Sequence, residues 1–202
     1  NVIVSALYQP LLTTPVPAII AAAEKNDFQS MLALAALGAG NTDEGPAMSI
    51  GMQLSVICAE DAPKNTAEAL QKGSESTLFG KYVMSIQQQA CSFWPRGKVD
   101  DSFYEPVTSA IPTLLLSGEV DPVTPPSWGD EVARTLSNAK HIVIRGTGHT
   151  AGGTGCGQRL MREFIEEGSP ANLDTSCVDR VRRPAFFLSP AGPDPNRAGG
   201  SK

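Results

Sequence analysis

The spacing of apolar residues changes period several times along this 202-residue chain. Up to about Gly40 it is helical. Pro15 and Pro17 punctuate an entry, Ile19, Ile20 and Ala23 follow, and Asn26-Asp27 marks a break with a fresh N-cap. Phe28, Met31, Leu32, Ala35 and Leu37 continue at helical spacing to a stop at Gly38. After a polar linker at 41–46, the stretch from Met48 to Cys58 alternates apolar with small or polar residues, which predicts a strand. Pro63 and Thr66 open a short helix ending near Gly73, and a longer helix from about Glu75 to Cys91 presents Leu78, Phe79, Tyr82, Val83, Ile86 and Ala90 on one face. Phe93-Trp94-Pro95 ends it, and residues 96–110 read as loop. The run Ile111–Leu116, bounded by Ser117-Gly118, is a buried strand. A helix begins near Ser127, with Asp130 as a capping-box partner and Trp128, Val132 and Leu136 facing inward. A strand at His141–Ile144 and a helix at Gln158–Glu167, stopped by Gly168, complete the pattern.

Strands alternating with helices favour parallel pairing through crossover helices, hence an α/β fold. Three parallel strands on their own would leave an apolar, unpaired edge, so more sheet is expected beside them, on a second chain or an N-terminal portion. The expected divisions are a helical segment at 1–46, an α/β core at 47–189 and a tail at 190–202 lacking core-forming residues. The small, Ala-rich helices of the first segment suit either a lid over a site or plain packing on a core.

Composition narrows the chemistry. A net charge of −5, with no basic run, argues against nucleic acid as the partner. No segment reads as membrane-spanning. The chain opens at Asn1 without a Met or a basic leader, as an interior piece of a longer precursor would. Cys58, Cys91, Cys156 and Cys177 form no CxxC pair, so no metal site is expected. Two disulfides are expected instead, implying an oxidising compartment, and four cysteines allow three connectivities. Cys58 and Cys91 end neighbouring elements and Cys156 and Cys177 flank one helix, so both pairs are plausible bridges. No cofactor motif is present.

The chemistry-bearing pair is Asp121, in a Pro-flanked loop after one strand, and His149, delivered by Gly146-Thr147-Gly148 after the next. A histidine that shuttles a proton, with a carboxylate to fix its tautomer, is two-thirds of a Ser–His–Asp triad, and the order acid-then-histidine is that of an α/β-hydrolase. The nucleophile is missing: there is no Gly-x-Ser-x-Gly elbow and no HGGG-type oxyanion segment. Ser49, in Ala-Met-Ser-Ile-Gly, imitates the elbow weakly and lacks the preceding glycine.

Ser117-Gly118-Glu119-Val120-Asp121-Pro122-Val123-Thr124-Pro125-Pro126 resembles the acid loop of secreted tripeptidyl aminopeptidases and their proline-iminopeptidase-like relatives, and Gly146–Thr150 resembles their histidine loop. Residues 51–61 resemble the strand that follows the helical lid in that family, and Cys156 and Cys177 match its C-terminal cysteine pair. The resemblance spans roughly Gly51 to Cys177. It implies the C-terminal half of an α/β-hydrolase preceded by a lid remnant, in an exported bacterial enzyme. Asp121 would be the triad acid and His149 the base, with serine and oxyanion hole supplied by an N-terminal fragment or second chain. The implied substrates are peptides cleaved at their N-termini, or small esters. An exopeptidase needs a carboxylate for the substrate ammonium, and Glu60, expected at a strand end, is the candidate, though Glu60-Asp61 equally suits a helix cap. Phe93 and Trp94 are expected in a core or lining a pocket. Two other readings stand beside the peptidase: an ester hydrolase with the same triad, and a non-catalytic binding module that keeps the loops.

Overall fold

The structure, a computed structural model, describes residues 2–38, 49–75, 77, 80–149, 151–189 and 191–193. The linker expected at 41–46, most of the tail, and the side chains of Leu78, Phe79 and Val83 lie outside the described residues. The chain groups into two compact units, one of Asn1–Asn41 with Pro106–Lys202, the other of Thr42–Glu105.

The first unit opens with four helices: α1 (Val2–Leu7), α2 (Pro10–Thr13), α3 (Val16–Ala23) and α4 (Gln29–Gly38). Pro10 and Pro17 sit in first turns, where a missing N–H costs no helical hydrogen bond. The break falls where expected. Asn26 adopts the left-handed conformation at φ 62°, and the Asp27 carboxylate accepts from the Gln29 N–H at 3.1 Å. Ala6, Val16, Ile19 and Leu34 form a small apolar core with Ile3, Leu12 and Met31 around them.

The Thr42–Glu105 unit is helical in its described part: α5 (Ile50–Glu60), α6 (Ala67–Ser74) and α7 (Tyr82–Phe93). The strand expected from Met48 to Cys58 is therefore helical from Ile50 on, with Met48 outside the described residues. In an eleven-residue run the two periods overlap: Leu54, Val56 and Cys58 alternate, while Leu54, Ile57 and Cys58 fall on one helical face. Ser49 decides the start, since its hydroxyl caps α5 by accepting from the Met52 N–H. Thr66 caps α6 in the same way. Cys58 and Cys91 are disulfide-bonded, tying α5 to α7. Phe93 ends α7 in an exposed position. Trp94 is half-buried, with its indole N–H donating to Ser55 Oγ at 3.2 Å.

The first unit resumes with β1 (Thr113–Gly118), α8 (Pro126–Ala133), β2 (Ala139–Ile144) and α9 (Gly155–Glu167). The strands pair in parallel, from Thr113 opposite Ala139 to Gly118 opposite Ile144. The β-α-β order is thus as expected, but among the described residues the sheet has two strands rather than three. Alternation sorts the side chains. Leu114, Leu116, Ile142 and Ile144 pack with Leu160 and Phe164 of α9 and with Leu173, Val178 and Val181, in the main core. A disulfide between Cys156 and Cys177 lies in the same cluster. Thr154 caps α9 through the Gly157 N–H, and Gly168 ends it at φ 63°.

Helix α8 departs from expectation in its facing. Trp128 and Val132 are exposed, Pro125 is the N-cap without a side-chain bond, and Asp130 bonds His141 instead of capping. The small residue Gly129 explains the rotation: a Cβ there would lie 2.5 Å from His141 Nε2, so only a glycine lets the helix backbone come this close to the sheet.

Candidate active site

The two loops that follow the paired strands are laced to each other before any side-chain chemistry is considered. The Glu119 N–H donates to the Ile144 carbonyl and the Val120 N–H to the Thr147 carbonyl, both at 3.1 Å. The Glu119 carboxylate accepts from the Gly146 N–H at 2.8 Å. Gly118 ends β1 directly against the second loop, where an added Cβ would meet the Gly148 carbonyl oxygen at 2.0 Å. Gly146 turns at φ 60°, a conformation that disfavours side chains. Parallel strands thus deliver their carboxyl-end loops side by side, the usual way an open α/β sheet gathers chemistry at one edge.

Asp121 sits in the first loop, 8 % exposed. Its Oδ1 accepts from the N–H groups of Val123 at 2.8 Å and Thr124 at 3.0 Å, and its Oδ2 accepts from the Thr124 hydroxyl at 2.8 Å. Burial alone pushes the carboxyl up, and this is the largest single influence. The Thr124 and Val123 N–H groups, the Thr124 hydroxyl and His149 together outweigh it and hold the pKa at about 2. The group is an anion at any pH near neutrality.

His149 Nδ1 lies 3.1 Å from Asp121 Oδ2 and 3.2 Å from Oδ1. Donation to this anion places the ring proton on Nδ1 and leaves the Nε2 lone pair to take a proton from elsewhere. Among the described residues Nε2 has no hydrogen-bond partner, and the side chain is 34 % exposed against 4 % for Asp121. The pair combines a buried, fixed carboxylate with an accessible imidazole. The Thr124 hydroxyl lies 3.3 Å from Nδ1 and bridges both members.

Two residues at this site carry weak or no signal in the sequence. Thr124 is legible in hindsight, because Asp-x-x-Thr is a spacing at which a loop acid gathers local donors. Tyr8 is not: it lies 141 positions from His149, whose N–H donates to the Tyr8 carbonyl at 2.9 Å, with the two rings edge-to-face at 5.2 Å.

A second constellation imitates a triad. His141 Nε2 lies 2.9 Å from Ser117 Oγ, and its Nδ1 lies 2.8 Å from Asp130 Oδ1. The geometry of roles is that of Ser–His–Asp. Access is not: the His141 side chain is 8 % exposed, and an added Cβ at Gly129 would stand 3.0 Å from Ser117 Oγ. With the α8 backbone on top of the hydroxyl, there is no room for a reacting carbonyl. The set joins β1, β2 and α8 by polar bonds on either side of the buried His141 ring.

The remaining residues singled out from the sequence lie in the other unit. Ser49 is a helix cap. Glu60 is the last residue of α5, at a helix end instead of the expected strand end, and its carbonyl accepts from the Tyr104 hydroxyl at 2.8 Å. A carboxylate at a helix C-terminus faces the negative end of the dipole, so a cation is favoured beside it. Among the described residues no cluster of His, Cys, Asp or Glu is arranged to hold a metal, and no helix is long and apolar enough to cross a membrane. The two disulfides suggest an extracellular or periplasmic location.

Comparison with known proteins adds one finding. A family model described as TAP-like protein, of the α/β-hydrolase class, matches residues 76–177. No curated protein and no solved structure matches the chain. The matched segment is just over half of the chain and contains both strands, the loops bearing Asp121 and His149, and the Cys156–Cys177 pair. By that match, the chain belongs to the TAP-like protein family of α/β-hydrolases.

Proposed function

We propose that this chain supplies the acid and the base of a serine hydrolase that cleaves at the N-termini of peptides. Asp121 is the triad acid and His149 the general base. The nucleophilic serine and the oxyanion donors come from an N-terminal portion or a second chain, and without that portion the chain is inactive. The observation that carries the reading is the Asp121–His149 pair itself: an anion with its own supply of hydrogen bonds, holding Nδ1 and leaving Nε2 accessible. In the reaction His149 Nε2 would take the serine proton as Oγ attacks the scissile carbonyl, then pass it to the leaving amine. Asp121 would stabilise the imidazolium formed between those steps.

Two further features support the missing partner. The sequence has no Gly-x-Ser-x-Gly string, and the one accessible-looking mimic, Ser49, spends its hydroxyl on a helix cap. Outside its pairing with β2, β1 also has no strand neighbour among the described residues, which leaves room for further sheet. Glu60, at the end of α5, is proposed to hold the substrate ammonium.

The test is fluorophosphonate labelling of the native sample, read by intact mass. A label on a co-purifying polypeptide, lost together with turnover in the His149→Ala protein, is the expected result. That substitution should lower turnover by roughly 10³-fold or more. Turnover that survives His149→Ala refutes the assignment. Rates on a free-amine aminoacyl amide, its N-blocked form and a short acyl ester separate the peptidase from an ester hydrolase. A stable, unlabelled chain with no partner would be the binding module.

A further inference from the structure

Tyr8, between the first two N-terminal helices, reaches the histidine loop, with the Leu7 carbonyl beside it. It makes two separate contacts there. Its carbonyl accepts the His149 N–H at 2.9 Å, and its ring stands edge-on to the imidazole, with centroids 5.2 Å apart and planes at 76°. A third observation shows how tightly the segments meet: a Cβ on Gly148 would lie 2.3 Å from the Tyr8 carbonyl oxygen. The approach is backbone on backbone, and glycine permits it.

We infer that Tyr8 is a positioning residue for His149, so that the N-terminal helical segment forms one wall of the candidate site. The inference rests on the reading of His149 as the general base. The imidazole is held at Nδ1 by Asp121, which fixes one ring atom but leaves rotation of the exposed ring about that contact. The edge-to-face partner removes this freedom, since such pairs prefer a defined interplanar angle. The carbonyl bond fixes the backbone from which the ring projects. A base held within a few tenths of an ångström of its productive place needs both kinds of support. Tyr8 lies just past α1, between it and α2, so the short helices earn a place in the site beyond packing.

The chain has two histidines, which makes the test direct. In the histidine-labelled chain, NMR gives one set of ring signals for His149 and one for His141, and the latter is an internal control in the same sheet. Tyr8→Phe keeps the ring and should leave both sets in place. Tyr8→Leu keeps apolar volume but removes the ring. It should move the His149 signals, broaden its Nδ1–H resonance and leave His141 untouched. In the serine-bearing enzyme, Tyr8→Leu should lower kcat by about 3- to 10-fold with little change in KM, the loss expected from one aromatic pair. His149 signals that stay put in Tyr8→Leu overturn the inference, as do shifted signals with an unchanged kcat. The NMR arm needs no turnover, so its failure is distinct from failure of the hydrolase reading, which His149→Ala reports.

Discussion

The carboxyl of Asp121 can be weighed without any substrate. Its pKa is held at about 2, against an ordinary value of 3.8, by hydrogen bonds that favour the anion. A carboxyl depressed on folding stabilises the fold above its unfolded pKa, and that stabilisation disappears as pH falls through the folded one. The difference between the two values corresponds to about 2 kcal/mol, roughly half of it gone by pH 3. Asp121→Asn keeps an Oδ1 acceptor for the Val123 and Thr124 N–H groups but removes the charge. Urea unfolding of the two proteins, followed from pH 7 down to pH 3, reports this carboxylate together with its coupling to His149, because the titrations away from the pair are shared. At pH 7 the Asn protein should be the less stable by about 2 kcal/mol, and the gap should close by about half at pH 3. Two curves that stay parallel over this range would mean that Asp121 does not hold its anion as the geometry describes, and the preformed acid–base pair would fall with it.

Three other outcomes follow from the same structure. Ser117→Ala should leave turnover and fluorophosphonate labelling of the serine-bearing enzyme within about twofold, since the α8 backbone closes over the hydroxyl. His141→Leu should cost about 1–3 kcal/mol in urea unfolding by stranding Ser117 and releasing α8. The Cys156–Cys177 bridge closes a loop across 21 positions around α9, so the Cys156→Ala/Cys177→Ala protein should lose about 3 kcal/mol of stability by the same assay.

Where sequence and structure agree, the signal was chemical. Asp121 and His149 were legible because each follows an apolar run and sits among prolines or glycines, and the structure brings them to 3.1 Å. Both cysteine pairings suggested by their placement are those found. Gly168, Thr66 and the Asn26-Asp27 break marked helix ends through local backbone and side-chain bonding, which tertiary structure does not override. The misreadings have a physical source too. From Met48 to Cys58 the run is short and alternates apolar with small or polar residues, yet neither period is diagnostic over eleven residues; the Ser49 cap was the deciding signal, weighed instead as an elbow mimic. On α8, amphipathicity pointed Trp128 inward, yet close approach through Gly129 and the bond from Asp130 to His141 set the facing. Tyr8 was invisible because a contact across 141 positions leaves no local trace.

The order in which Asp121 is satisfied bears on how such a site can be completed by another polypeptide. Three of its four donors, the N–H groups of Val123 and Thr124 and the Thr124 hydroxyl, belong to its own loop. The carboxylate therefore keeps its charge and direction whether or not the histidine is in place, and a buried anion without such donors would be costly. His149, in turn, is seated by the Tyr8 carbonyl and by Asp121, neither of which involves a serine. Glu119, Val120 and Gly146 fix the spacing between the two loops from within the same β-α-β unit. Among the described residues, the bonds that hold Asp121 and His149 are thus made inside the unit of Asn1–Asn41 and Pro106–Lys202. A nucleophile brought by a separate portion would meet a pair already set at its working distance, and would need to supply only itself and its oxyanion donors. Preorganisation of this kind costs no rearrangement at the moment of reaction, and electrostatic catalysis depends on that condition.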